Sequence, residues 1–349
     1  MRSCIFFIVA LTTLDASTFA ADYQYRTDSY ALSLRAGMGK SSLPLLRRTD
    51  GPGASAMASQ LLTRFADRRD DAISTYGNYK SRQNGSTVSF AVDDGWMLRV
   101  HGDGTSAEYF NWPYRNAHIR SVPIDQQPTR GTLEVWGRTF IKEKLDGIIS
   151  LGANETLVAS HAMFEREITV RKDKTVPSSE ETVGAIVVFS RTVDGIPVIG
   201  YGSKIAVRFT VDGIPWGFDY DWPIYATTTT IQEMLPIEKI RERQSRLVPT
   251  AKAAVSRVED RFECGYFDVG IKHKDPAALI QGGCVSQHVF KTVGDQALYN
   301  ANSNNGLYTS GSLVVTPAGA TIAPDNKWRE AGAIGGGRNQ PSKNVSNTK

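Results

Sequence analysis

The sequence predicts an exported α+β chain with two tandem helix-plus-antiparallel-sheet units and a small C-terminal unit closed by a disulfide. Three observations predict it. An amphipathic helix pattern gives way to alternating strands punctuated by Asp-Gly turns. The same plan recurs about 110 residues later. Two cysteines remain once an N-terminal leader is removed. The length, 349 residues, suits about two domains. With 41% hydrophobic and 22% charged residues, the chain is neither wholly disordered nor collagenous.

Residues 1–20 read as a signal peptide. Arg2 supplies the positive start, residues 5–14 are apolar, and Thr18 and Ala20 fit a cleavage site after Ala20 or Ala21. A buried N-terminal strand is the competing reading. The apolar run is shorter than the roughly 20 residues that span a bilayer, and no other window reaches that length. The expected location is therefore secreted or periplasmic. Cys4 leaves with the leader. Cys264 and Cys284 form an even pair in an exported chain, read as one disulfide rather than two free thiols. It closes a loop of about twenty residues, worth roughly 3 kcal/mol by loop entropy.

Residues 21–54 read as a polar, turn-rich lead-in. The first unit, 55–125, opens with a helix over 55–76 whose apolar side holds Leu61, Leu62, Phe65 and Ile73. Strands follow at 87–92, 96–100 and 107–112, with turns at Asp94-Gly95 and Asp103-Gly104. The second unit, 126–229, repeats the plan. A helix covers 132–146, with Leu133, Trp136, Phe140 and Leu145 along one side. Strands follow at 164–170, 183–190, 204–210 and 216–220, with turns at Asp194-Gly195 and Asp212-Gly213. Asp103 to Trp112 and Asp212 to Trp222 align with one inserted residue. Residues 230–254 read as a charged helix and linker, and 255–324 as the disulfide-closed unit. The tail, 325–349, reads as disordered. Its five basic and two acidic residues supply +3 of the formal +4, so the body is nearly neutral and implies no nucleic-acid surface.

The stretch from Phe189 to Phe209 is the most distinctive. Asp194 and Gly195 turn the chain, Pro197 fixes an extended entry into the next strand, and Gly200 and Gly202 allow tight backbone geometry. Asp194-Gly195-Ile196-Pro197-Val198-Ile199-Gly200 resembles the turn of PepSY-type and related propeptide modules of secreted metalloproteases. The likeness covers residues 183–222 well, the first unit more weakly, and not 255–349. It implies a helix packed on an antiparallel sheet, similar to cystatin. It also implies chaperoning or inhibition of a peptidase. The peptidase itself is missing, because none of the five histidines begins a His-Glu-x-x-His motif.

Chemistry is sparse. Gly37 to Ser41 resembles part of a phosphate loop, but Leu34 stands where that loop needs glycine. No nucleophile elbow is present. His101 beside a hairpin turn is read as inert rather than as a base. Asp212, Asp219 and Asp221 are either solvated strand-end acids or, without a loop signature, a Ca²⁺ cluster. No cofactor or metal is expected. The aromatic residues are the better lead. Alternation places Trp216, Phe218, Tyr220 and Trp222 on one strand face, with Asp219 and Asp221 on the other. That face is either core or, with Trp112, an exposed platform for a peptide or sugar.

The sequence thus reads as an exported non-catalytic binding protein, an inhibitor or assembly factor for a secreted peptidase or another extracytoplasmic protein. The competing readings are a secreted hydrolase and a structural envelope protein. An exposed strand edge beside an apolar patch favours binding. The mature chain is expected to begin at Ala21 or Asp22. Intact mass of the exported protein checks this, and a retained Met1 contradicts export.

Overall fold

The computed structural model describes residues 42–65, 79–92, 95–169, 179–247, 255–270, 279–292 and 309–320. The expected leader and basic tail lie outside these residues. In chain order the elements begin with β1 (Ser42–Thr49), α1 (Ala54–Phe65), β2 (Lys80–Asn84), β3 (Thr87–Ala91), β4 (Trp96–His101) and β5 (Ser106–Asn111). Next come α2 (Trp112–His118), β6 (Val122–Pro123), α3 (Arg130–Lys144), β7 (Glu155–Thr169) and β8 (Ser179–Val193). Then follow β9 (Ile196–Gly200), β10 (Lys204–Thr210), β11 (Pro215–Asp221), β12 (Ile224–Glu233) and α4 (Ile237–Leu247). The last are β13 (Val255–Asp268), β14 (Leu279–Thr292) and β15 (Thr309–Pro317).

The fold is α+β: the strands form one mixed, mostly antiparallel sheet. Its order is β12-β1-β14-β13-β9-β8-β10-β11-β5-β4-β3-β2, with β15 on β14 and with β6 and β7 on β8. β9 and β13 are the parallel neighbours. Two stretches of the sheet mirror each other. The run β2-β3-β4-β5 follows α1, and the run β7-β8-β10-β11 follows α3. They meet last strand to last strand, where β5 and β11 pair antiparallel with Tyr109 opposite Phe218.

Burial of apolar faces drives this arrangement. Leu61 and Phe65 of α1 and Leu133 and Phe140 of α3 share one core with Tyr109, Val187, Phe189, Val207 and Phe218 of the sheet. The helix α3 packs closely because position 137 is glycine: a Cβ there would fall 2.4 Å from Cε2 of Phe189. It starts where the Thr129 hydroxyl accepts from the Thr132 N–H at 3.1 Å. In α2 the Asn111 side chain accepts from the Tyr114 N–H at 3.1 Å, and Pro113 sits in the first turn.

Several elements differ from expectation. Ser42–Thr49, within the expected polar lead-in, is β1, which buries Leu43, Leu45 and Leu46 between β12 and β14. The strand survives a polar context because its leucines meet apolar neighbours from distant segments. Within the expected charged helix and linker over 230–254, the helix begins only at Ile237, after β12 ends at Glu233. Four successive threonines in β12 favour extended backbone. Trp112, placed in a strand by alternation, instead opens α2. The disulfide-bearing strands also join the common sheet, through β9 on one side and β1 on the other.

The Cys264–Cys284 disulfide joins directly opposed residues of β13 and β14. The Asp194-Gly195 turn links β8 to β9, with Val193 opposite Ile196, and both turn residues have positive φ (51° and 76°). Two left-handed residues in a two-residue hairpin match the twist of the flanking strands. Gly195→Ala should cost on the order of 1 kcal/mol or more and lower Tm. A variant melting with the parent would contradict this account of the turn.

Candidate functional site

The aromatic residues singled out from the sequence separate in space. Phe218, Tyr220 and Trp222 are buried in the shared core, below 5% exposure. The Trp222 indole N–H donates to the Ser150 carbonyl at 2.8 Å. Trp216 is also buried, but its ring packs on Phe110 and Trp112, at 6.3 and 5.0 Å between centroids. Phe110 lies on the face opposite Tyr109. A β-bulge explains the change of side: Arg208 opposes Gly217 and Phe209 opposes Pro215, leaving Trp216 as the extra residue. The four aromatics expected on one face therefore do not share it, and none of the four offers an exposed ring. Trp112 does, at 46% exposure.

On the face of the sheet opposite α1 and α3, Trp112 stacks on Phe110 at 5.6 Å and 14°. The Arg115 guanidinium lies 5.1 Å from the Trp216 ring and donates to Glu165 at 2.9 Å. Arg208 lies 4.8 Å from the Phe110 ring and donates to Asp219 at 2.6 Å. The acids considered together do not converge. Asp212 pairs with Arg120, Asp219 with Arg208, and Asp221 is buried beside Gly270. Among the described residues no group of three His, Cys, Asp or Glu is placed to hold a metal ion. His101 sits 3.3 Å from the Thr87 hydroxyl and 3.5 Å from Glu108.

A second polar assembly is buried where six segments meet. Asp268, fully buried in β13, accepts from Arg48 of β1, from the Tyr225 hydroxyl of β12, and from the Gly270 N–H. The Tyr225 hydroxyl also meets the Ser203 hydroxyl at 2.9 Å, and Ser203 accepts from Arg191 Nε at 2.9 Å. Arg191 grips Glu155 with Nη1 at 2.9 and 3.0 Å and donates from Nη2 to the Pro223 carbonyl. Its guanidinium lies 4.2 Å from the Trp222 ring centre and 4.5 Å from that of Tyr225. Gly200 and Gly202 make room for Asp268: a Cβ on either would fall within 2.3 Å of its atoms.

This network sets its own electrostatics. Burial pulls the Arg48 pKa down, but the charges of Asp268, Tyr225 and Asp221 outweigh it and leave it raised. Part of the Tyr225 ring is open, yet its hydroxyl lies inside. Burial, then the Asp268 charge, hold that phenol well above its ordinary value, although Arg191 and Arg48 pull the other way. Burial alone raises Tyr220.

Sequence reasoning missed Arg48, Glu155, Arg191, Ser203 and Asp268. A signal existed for two of them. Val187, Phe189, Arg191 and Val193 alternate inward along β8, and Cys264, Tyr266 and Asp268 do so along β13. A charge at an inward strand position demands a buried partner.

No family model and no curated protein matches the chain. Two solved structures resemble it at the level of shape. One is a crystal structure of an uncharacterized protein from Eubacterium rectale, 11% identical, with 81% of this chain and 87% of that one covered and a TM-score of 0.44. The other is the YpeB C-terminal domain of Bacillus megaterium, 10% identical, with 76% and 98% covered and a TM-score of 0.29.

Asp268→Ala would leave Arg48 without its buried counter-charge, at a cost of about 3–5 kcal/mol, read by urea denaturation at pH 7. The raised Tyr225 pKa also gives a direction in pH. Above about pH 10 the unfolded chain releases a phenolic proton that the folded chain retains, so stability falls as pH rises. Tyr225→Phe should reduce that alkaline loss, with the buried Tyr220 supplying the remainder; an unchanged slope would remove Tyr225 as a source.

Proposed function

We propose that this chain is an exported, non-catalytic binding protein that takes up an extended segment of an extracytoplasmic protein along the outer edge of β12. A secreted peptidase fits as the partner, with the chain acting as inhibitor or assembly factor. Three features support the reading. The mirrored helix-and-four-strand runs are read as a duplicated PepSY-like, cystatin-like unit. The Asp194 to Gly200 hairpin keeps the turn on which that likeness rests. The observation that carries the function is the β12 edge itself.

Among the described residues β1 is the strand paired with β12, so one edge of β12 has no neighbouring strand. From Ile224 to Gln232 it carries no charge. Ile224 and Ile231 are exposed, at 44% and 55%. The opposite end of the sheet differs: β2 has Lys80 and Arg82, and all five of its residues are exposed. Charged edges repel added strands, and uncharged ones accept them. A bulge between Thr227 and Ile231 interrupts pairing with β1, so the even stretch Ile224 to Thr227 is the expected contact.

Ala226→Lys places a charge on that exposed stretch while leaving the core untouched. In hydrogen exchange, adding the extracytoplasmic fraction should protect the amides among residues 224–227 that face away from β1 in the parent and not in the variant, with Tm lowered only slightly by the new charge opposite Arg47. Equal protection in both proteins, or none in the parent, would overturn the reading.

A further inference from the structure

We propose that the surface around Trp112, where the start of α2 meets the face of the sheet opposite α1 and α3, is a stacking platform for a neutral glycan, one built from pyranose rings with equatorial hydroxyl groups. This surface is separate from the β12 edge and does not depend on it.

The platform is held firmly. Trp112 follows the Asn111 cap and precedes Pro113, so the backbone that carries it is fixed at the start of α2. Its ring lies nearly parallel to Phe110 beneath and leans against the buried Trp216. The ring is thus a supported aromatic surface with nearly half its area open to water. A pyranose with equatorial hydroxyl groups presents axial C–H bonds on each flat side. Such a surface stacks on an indole and leaves the hydroxyl groups pointing outward around the rim.

The surroundings suit those hydroxyl groups. Across β4, β5 and β11, Arg99 opposes Glu108 and Glu108 opposes Asp219. Arg208 of β10 then pairs with Asp219. Two carboxylates thus stand side by side between two guanidinium groups, next to Phe110. Arg115 and Glu165 form a third pair on the Trp216 side. Carboxylates accept from hydroxyl groups, and guanidinium forks donate to them. These three arginines balance these three acids, so the groups nearest the ring carry no net charge; the basic Lys80 and Arg82 lie further out, at the β2 edge. An acidic polysaccharide or a strongly charged peptide gains no steering from such a field. A neutral, hydroxyl-rich ligand fits both the flat ring and the alternating charges.

N-acetylated chitohexaose (the N-acetylglucosamine hexamer) and cellohexaose are suitable neutral probes, and polygalacturonate is the acidic one. Isothermal titration with the full chain should show saturable binding of at least one neutral probe and weaker or no binding of polygalacturonate. Trp112→Ala should weaken that binding about tenfold or more, while Trp112→Phe retains part of it. Asp219→Asn should weaken it severalfold through lost hydroxyl contacts. Thermal melting confirms that each variant is folded, and Asp219→Asn keeps the test alive if Trp112→Ala is not. Ala226→Lys should bind the glycan as the parent does, so this proposal and the β12 proposal fail separately. Absence of saturable binding to both neutral probes would overturn the proposal. So would unchanged affinity in folded Trp112→Ala, or tighter binding of polygalacturonate.

Discussion

The buried charge at Asp268 organises the molecule. A carboxylate without water needs donors around it, and here they come from segments far apart in sequence: Arg48, Tyr225 and Gly270. Tyr225 and Ser203 pass the connection to Arg191, which holds Glu155. One chain of polar contacts thereby links β1, β7, β8, β12, β13 and the turn after β9. Apolar contacts tolerate sliding, but a hydrogen-bonded charge does not. The network therefore fixes how the outer strands register against the central ones. The glycines of the Gly200 to Ser203 turn follow from the same demand, since the Asp268 backbone and carboxylate occupy the space a side chain would need.

The mirrored halves differ in one consequential way. Both helices cover the same side of the sheet, so Tyr109 and Phe218 become equivalent core residues on either side of the central strand pair. The bulge at Trp216 then diverts one large ring to the other side. There it supports Phe110 and Trp112 instead of filling the helix-covered core. A single extra residue converts a feature of the core into the base of an exposed aromatic surface.

Much of this was legible in the sequence. The Asp-Gly turns, the helical faces of Leu61 and Leu133, and the two cysteines all gave local signals, because turns and amphipathic stripes act within a few residues. The aromatic side of β11 was misplaced at Trp216 because alternation holds only while pairing is regular. The two Trp-Pro steps looked equivalent. In the strand register, however, Tyr109 matches Phe218, so Trp112 and Trp222 fall at different positions, one opening a helix and the other in the core. β1 was hidden for a different reason. Its three buried leucines lie in a polar neighbourhood, and the partners that bury them come from β12 and β14, more than 170 residues away. Among the polar residues, Arg191 and Asp268 carried a trace of their burial in strand alternation; Arg48 and Glu155 carried none.

The position of β1 bears on the order in which the chain assembles. Leu46 pairs with Thr227 on one side and with Ile280 on the other. The two mirrored runs are built from neighbouring hairpins and close over short loops, so they form without waiting for the ends of the chain. By contrast, β1 must span more than 230 residues to meet β14, and such distant pairings are entropically late. The strand synthesised first among those described is thus among the last to dock. Until then, β12 and β14 lack the neighbour that the finished sheet gives them.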